Sequence, residues 1–182
     1  MPLVAALKND ALLAPFLKTT CAEHGMAATV SPAIAPDDIV IISPDGYYNS
    51  AAGPLNPPKS PDCLVVVRCH NGEFRVFVVE LRDISSARGF TLDGIRDKFL
   101  TCLTDFMQGV LGAHFNREDI VLQRPRLLFV ADPYGQRQDP DRNRRFNRST
   151  RMDALLTVPP LRFDGRLLGI EPHHENPLIN PC

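Results

Sequence analysis

No stretch of the chain is long and apolar enough to cross a membrane as a helix. Its apolar runs are strand-sized, well short of the roughly 20 residues a span needs. The opening segment MPLVAALKND has its apolar run broken by Lys8 and Asp10, which does not suit a signal peptide. The formal net charge is only −1, so bulk charge announces neither a nucleic acid nor a membrane surface. There is no close CxxC pair of the kind zinc sites use, no phosphate-cradling P-loop and no GxGxxG. Internal repeats and low-complexity tracts are also missing. Lysine is scarce, at four residues against sixteen arginines. GC-rich coding alone produces such a ratio, and it carries no functional weight.

What remains is an ordinary globular composition, 44% hydrophobic and 23% charged. A length of 182 residues suits a single domain with a real core. The pattern predicts a core over about residues 9–131, an arginine-rich loop and C-terminal strands over 132–171, and an irregular tail over 172–182. The five cysteines (Cys21, Cys63, Cys69, Cys102 and Cys182) are odd in number and mostly sit in apolar patterns. They read as reduced core thiols of a cytoplasmic protein. Charge is unevenly spread. Residues 137–151 hold six Arg and two Asp, a balance of +4, so the rest of the chain sums to −5.

Along the chain, Leu12, Leu13, Phe16, Leu17 and Cys21 recur at helical spacing, predicting a first helix over 9–24 capped by Gly25. Glu23 falls in its last turn, where a carboxylate opposes the helix dipole. It is either a functional acid or a solvated surface residue. Residues 38–43 read as a strand and 44–60 as a loop. Tyr47 and Tyr48 in that loop either stack on a base or pack the loop down. Residues 62–69 and 74–82 are continuous apolar, β-branched runs, as in a sheet covered on both faces. Asn71-Gly72 between them is a strong hairpin signal. A two-residue loop would pair Cys63 with Glu80 and put Asp62 on the opposite face. A three-residue loop over His70–Gly72, with Gly72 left-handed, would set Asp62 against Glu80. A second helix is predicted over 91–112, with Thr91 as N-cap and Ile95, Phe99, Leu103, Phe106 and Val110 as its apolar stripe. A strand follows over 126–131, and a final strand pair over 161–170 around Asp164-Gly165.

Two carboxylates brought together on a buried hairpin are costly without compensation, and a divalent cation is the usual compensation. The order helix, three strands, helix, strand, with Pro61-Asp62 opening one hairpin strand and Glu80-Leu81-Arg82 closing the other, resembles the PD-(D/E)XK nuclease superfamily. The resemblance covers roughly residues 9–131. It implies an α/β restriction-endonuclease-like αβββαβ core, a mixed central sheet flanked by helices. It also implies Mg²⁺ (or Mn²⁺) held by Asp62, Glu80 and the backbone carbonyl of Leu81, and hydrolysis of DNA phosphodiesters. Glu23 matches the acidic residue many relatives carry on the first helix. Arg82 stands where the family prefers Lys, and a guanidinium cannot act as a general base.

Three readings of that departure stay open. Arg82 serves electrostatically, Lys98 from the second helix takes the lysine's place, or the site is silent. The bland alternative makes Asp62 a turn-associated carboxylate and Glu80 a partner of Arg82 or of Arg68. The run from Arg142 through Arg144, Arg145 and Arg148 to Arg151, interleaved with Asn, Ser and Phe146, suits phosphate contacts, or else is a solvated loop. A zinc site from Cys63, Cys69, His70, His173 and His174 is the weaker metal reading. The sequence-based expectation is therefore a metal-dependent DNA endonuclease. It would act as a homodimer or as a subunit of a larger complex, with no membrane partner. The competing expectation is a nuclease-fold binding module without turnover.

Overall fold

The computed structural model describes residues 1–23, 25–82, 91–132 and 150–182, apart from the side chains of 150 and 151. The chain forms a mixed α/β fold. Its six-stranded sheet has the order β1 (Leu17–Lys18), β4 (Ile39–Ile42), β5 (Cys63–Arg68), β6 (Phe74–Arg82), β7 (Arg126–Ala131), β10 (Ile170–His173). Neighbours from β1 to β6 are antiparallel, whereas β6 with β7 and β7 with β10 are parallel. A second sheet, β2 (Cys21–Glu23), β3 (Met26–Val30) and β11 (Leu178–Ile179), in the order β11-β3-β2, lies against one face of the first. A short hairpin, β8 (Leu161–Phe163) and β9 (Arg166–Leu168), turns through Asp164 and Gly165, both at positive φ.

Strict alternation along the central strands sorts them into two cores. Leu64, Val66, Val76 and Val78 face the helices, packing with Ile95, Phe99, Leu103 and Phe106. Cys63, Val65, Val67, Phe77, Val79 and Leu81 face the small sheet with Met26, Ala28 and Ile179. Burial on both faces explains why these strands are apolar at nearly every position. The helical layer comprises α1 (Leu3–Lys8), α2 (Pro44–Tyr48), α3 (Leu92–Thr101), α4 (Gly112–Phe115) and α5 (Thr150–Leu155). Thr91 caps α3 as expected, its hydroxyl accepting from Gly94 N–H at 3.2 Å. Beyond Thr101 the helix continues in wider, π-type turns over Cys102–Val110. These keep Cys102, Leu103, Phe106 and Met107 on the buried side.

Four expectations need correction. Residues 9–24 are not a helix, because Pro15 removes a backbone donor in the middle of the apolar stripe. The first helix is Leu3–Lys8, followed by a 3₁₀ turn at Ala14–Phe16 and by β1 and β2. Gly25, at φ +77°, lies between β2 and β3 rather than capping a helix. Residues 44–60 begin with α2, where Tyr47 packs edge-on against Phe16 and Tyr48 and both tyrosines lie tilted against Phe106, with ring centroids 5.3 to 5.8 Å apart. The tail is partly regular, since β10 runs into it and β11 lies within it. Pro172 is tolerated because β10 is an edge strand.

The fourth correction concerns the cysteines. Cys21 is bonded to Cys63 and Cys69 to Cys182, with Cα–Cα distances of 6.0 and 5.3 Å, and only Cys102 is a free buried thiol. The argument from cysteine usage to a reducing compartment therefore falls, and with it the zinc reading through Cys63 and Cys69. Among the described residues no helix is long and apolar enough to cross a membrane. Thiol titration of the unfolded, unreduced chain is expected to find one reactive thiol, Cys102, and five after reduction. Five without reductant would refute the pairing.

Candidate active site at the end of the central hairpin

The turn joining β5 to β6 has the three-residue form. Cys69 N–H donates to Glu73 O at 2.8 Å, and Gly72 N–H donates to Cys69 O at 3.0 Å. Gly72 has φ +84°, a conformation a side chain would strain. The ladder then runs from Arg68 opposite Phe74 to Cys63 opposite Val79. One step further sets Asp62 against Glu80, on the helix-facing side of the sheet with Leu64 and Val78.

Glu80 is 1% exposed, an unusual place for a carboxylate. Its Oε1 accepts from Lys98 Nζ at 2.7 Å, and Arg82 Nη1 lies 3.5 Å from the same oxygen. Oε2 is buried and has no hydrogen-bond partner among the described residues. Lys98 projects from α3, one turn before Cys102, and is 18% exposed. Asp62 Oδ2 accepts from Leu81 N–H at 2.6 Å, so its carboxylate ties the start of β5 to the end of β6.

Burial and the adjacent Glu80 charge push the Asp62 carboxyl up to about 8, against the pull of Leu81 N–H and Lys98. Burial also pushes Glu80 upward, opposed by Lys98 and Arg82. Among the described residues two cations face Glu80 and none is bonded to Asp62, so the proton the pair retains at neutral pH belongs on Asp62. A buried carboxylate pair with one unsatisfied oxygen and one retained proton can exchange that proton for a cation.

The structure thus gathers Asp62, Glu80, Leu81, Arg82 and Lys98. Glu23 comes near by an unexpected route. It lies on β2, exposed, rather than on a helix, and its charge adds the smallest of the upward pushes on Asp62. The Cys21–Cys63 disulfide holds β2 beside the first residues of β5. Nothing in the sequence pattern pointed to that wall of the site, because the two cysteines are 42 residues apart with no motif between them. Arg68 is not a partner of Glu80; it pairs with Asp38 at 2.7 Å. The part of the bland reading that holds is the Glu80–Arg82 contact. Arg142, Arg144, Arg145 and Arg148 lie outside the described residues, as does the side chain of Arg151 on α5. Among the described residues, no group of three or more His, Cys, Asp or Glu side chains is placed to hold a metal. The set here is two carboxylates and backbone, and Mg²⁺ commonly uses one or two protein carboxylates with several waters.

No family model matches the chain, and no curated protein or solved structure shows significant similarity to it.

Two outcomes follow from the electrostatics. The folded-state pKa of Asp62 lies above the ordinary carboxyl value of 3.8, so over this range the folded chain holds a proton the unfolded chain has lost. Stability contributed by this group is full below pH 4 and falls as pH rises from about 4 through 8. In metal-free buffer, Asp62→Asn is expected to flatten the fall in melting temperature between pH 6 and 9, by a few degrees at the alkaline end. An unchanged pH profile would refute the assignment. Lys98→Ala leaves the buried Glu80 charge with Arg82 alone and is expected to cost about 3 kcal/mol in urea denaturation, the low end for breaking a buried pair, with Glu80→Gln/Lys98→Met recovering most of it.

Proposed function

We propose that the chain is a metal-dependent phosphodiesterase acting on DNA, with a restriction-endonuclease-like core. The observation that carries this reading is the buried Asp62–Glu80 pair at the open end of the hairpin, with Lys98 Nζ 2.7 Å from Glu80. The order α1, β4, β5, β6, α3, β7, antiparallel through β6 and then parallel to β7, supports an αβββαβ core. The unpartnered Oε2 of Glu80 and the raised Asp62 carboxyl fit a site that takes up Mg²⁺ or Mn²⁺.

A divalent cation bound there would supply Lewis-acid polarisation of a phosphoryl oxygen. Asp62 and Glu80 would hold it, with the Leu81 carbonyl as a further ligand. Arg82, at 33% exposure, offers a permanent positive charge to the non-bridging phosphate oxygens. Lys98 supplies an ammonium where the motif position itself carries a guanidinium. From α3 it orients the attacking water and stabilises charge as the leaving oxygen departs. Glu23 adds negative charge at the rim. The arginine run from Arg142 to Arg151 would hold the DNA backbone, and a second copy or partner subunit would complete target recognition.

The second reading is a binding subunit without turnover. The observation favouring it is that Lys98 and Arg82 already compensate Glu80, as in a structural ion pair. A plasmid-nicking assay with Mg²⁺ or Mn²⁺ separates the two. Cleavage is expected. Glu80→Gln and Lys98→Ala should each lower the rate about 100-fold or more, and Arg82→Lys should preserve it within about tenfold. Cleavage that survives Glu80→Gln would sink the site. DNA binding without cleavage under either metal would favour the binding subunit.

A further inference from the structure

Because β6, β7 and β10 run parallel, their N-terminal ends lie together, at the end of the sheet away from Glu80. Arg75 and Glu80 are five residues apart on β6, which separates the two regions by roughly 17 Å. At that far end a cleft of about 590 Å³ is lined by Arg75, Gln123, Arg124, Arg126, Ile170 and Glu171, among others. Its volume lies in the range of small-ligand sites.

The charges in this cleft are not balanced. Arg126 is committed, since its Nε lies 3.0 and 3.1 Å from the two Glu171 oxygens and its guanidinium sits over the Phe77 ring. Against the upward push of burial, His173 and then the Arg126 bond hold Glu171 well down, at about 2. Among the described residues Arg75 donates only through Nε, to Gln123 Oε1 at 3.0 Å. Gln123 is in turn fixed by Glu73 at 2.9 Å, so Arg75 is aimed rather than floppy. Arg124 donates one Nη to the Leu167 carbonyl. Both keep open guanidinium edges, and among the residues lining the cleft no acid remains to neutralise them. Two uncompensated guanidinium forks on a fixed floor match a dianion with planar-accessible oxygens.

We infer that this cleft binds a phosphate-bearing anion, held by the open guanidinium edges of Arg75 and Arg124 above the Arg126–Glu171 pair. It is independent of the hydrolytic reading. The same phosphate chemistry could be presented by a small free phosphate or by a nucleic-acid strand, and two probes distinguish them. Inorganic pyrophosphate and a short single-stranded oligodeoxynucleotide are titrated against the full chain by calorimetry in metal-free buffer, with citrate as a non-phosphate anion. At least one phosphate probe is expected to bind. Arg75→Gln/Arg124→Gln should weaken that binding about tenfold or more. Arg124→Gln alone, on an exposed side chain, should weaken it measurably without affecting the fold. Arg68→Gln, on a side chain paired with Asp38 away from the cleft, should leave it unchanged. Pyrophosphate binding marks a small-phosphate site, and arginine-dependent binding of the oligonucleotide alone marks a strand contact. Binding of neither, binding insensitive to both arginine variants, or equal affinity for citrate would overturn the proposal.

Discussion

The three-residue closure at His70–Gly72 is the constraint on which the rest of the structure depends. A sheet has a side-chain period of two, so one residue more or fewer in this turn would send every side chain of β6 to the opposite face relative to β5. The left-handed backbone at Gly72 and the Cys69–Glu73 bond hold the turn at odd length. From that choice follow the two separate cores and the meeting of Asp62 with Glu80. The Cys69–Cys182 disulfide also anchors the chain's end at the foot of this turn. Turn geometry and site geometry are therefore one problem, solved several residues away from any charged group.

The same register brings Glu80 into the apolar helix-facing layer, where an isolated carboxylate would be expelled or neutralised. The chain answers with Lys98, whose position on α3 is set by the burial of Ile95 and Phe99 on either side of it in sequence. One face of one helix thus supplies both the lid of the core and the cation for its acid. The compensation is incomplete by one oxygen, Glu80 Oε2, and by the proton left on Asp62. A purely structural ion pair gains nothing from a second buried carboxyl next to it. The second carboxyl, held protonated beside an ion pair, is the feature that a simple salt bridge does not require.

Much of this was legible in the sequence, and what was missed has physical reasons. The hairpin, its alternative registers, α3 with its Thr91 cap, β7, and the β8–β9 pair followed from local pattern, because each is specified by residues close together. Lys98 could be named as a candidate because helical spacing alone put it beside the apolar stripe. The first helix failed because the apolar period was counted without weighing Pro15. The disulfides and the pairing of β11 with β3 failed for a different reason. Those contacts join residues 42 to about 150 positions apart, and no local pattern encodes them. Glu23 lies on β2 rather than on a helix, and the Cys21–Cys63 bond holds that strand beside the start of β5.

The two charged regions lie at opposite ends of the parallel strands, and this placement follows from the topology. Where β6 changes from an antiparallel neighbour on one side to a parallel neighbour on the other, its C-terminal end adjoins both the start of β5 and the end of β7. Acidic groups from a hairpin and a cation from the crossover helix converge there. At the other end three parallel strands begin together, and the residues entering them, Arg75, Arg126 and Glu171, share the face opposite the helices. Neither end needs to distort the core to carry charge, because at strand ends the alternation that fills both faces with apolar side chains no longer has to hold. A sheet buried on both faces leaves its ends as the places where polar chemistry is least costly, and this chain uses one end for carboxylates and the other for guanidinium groups.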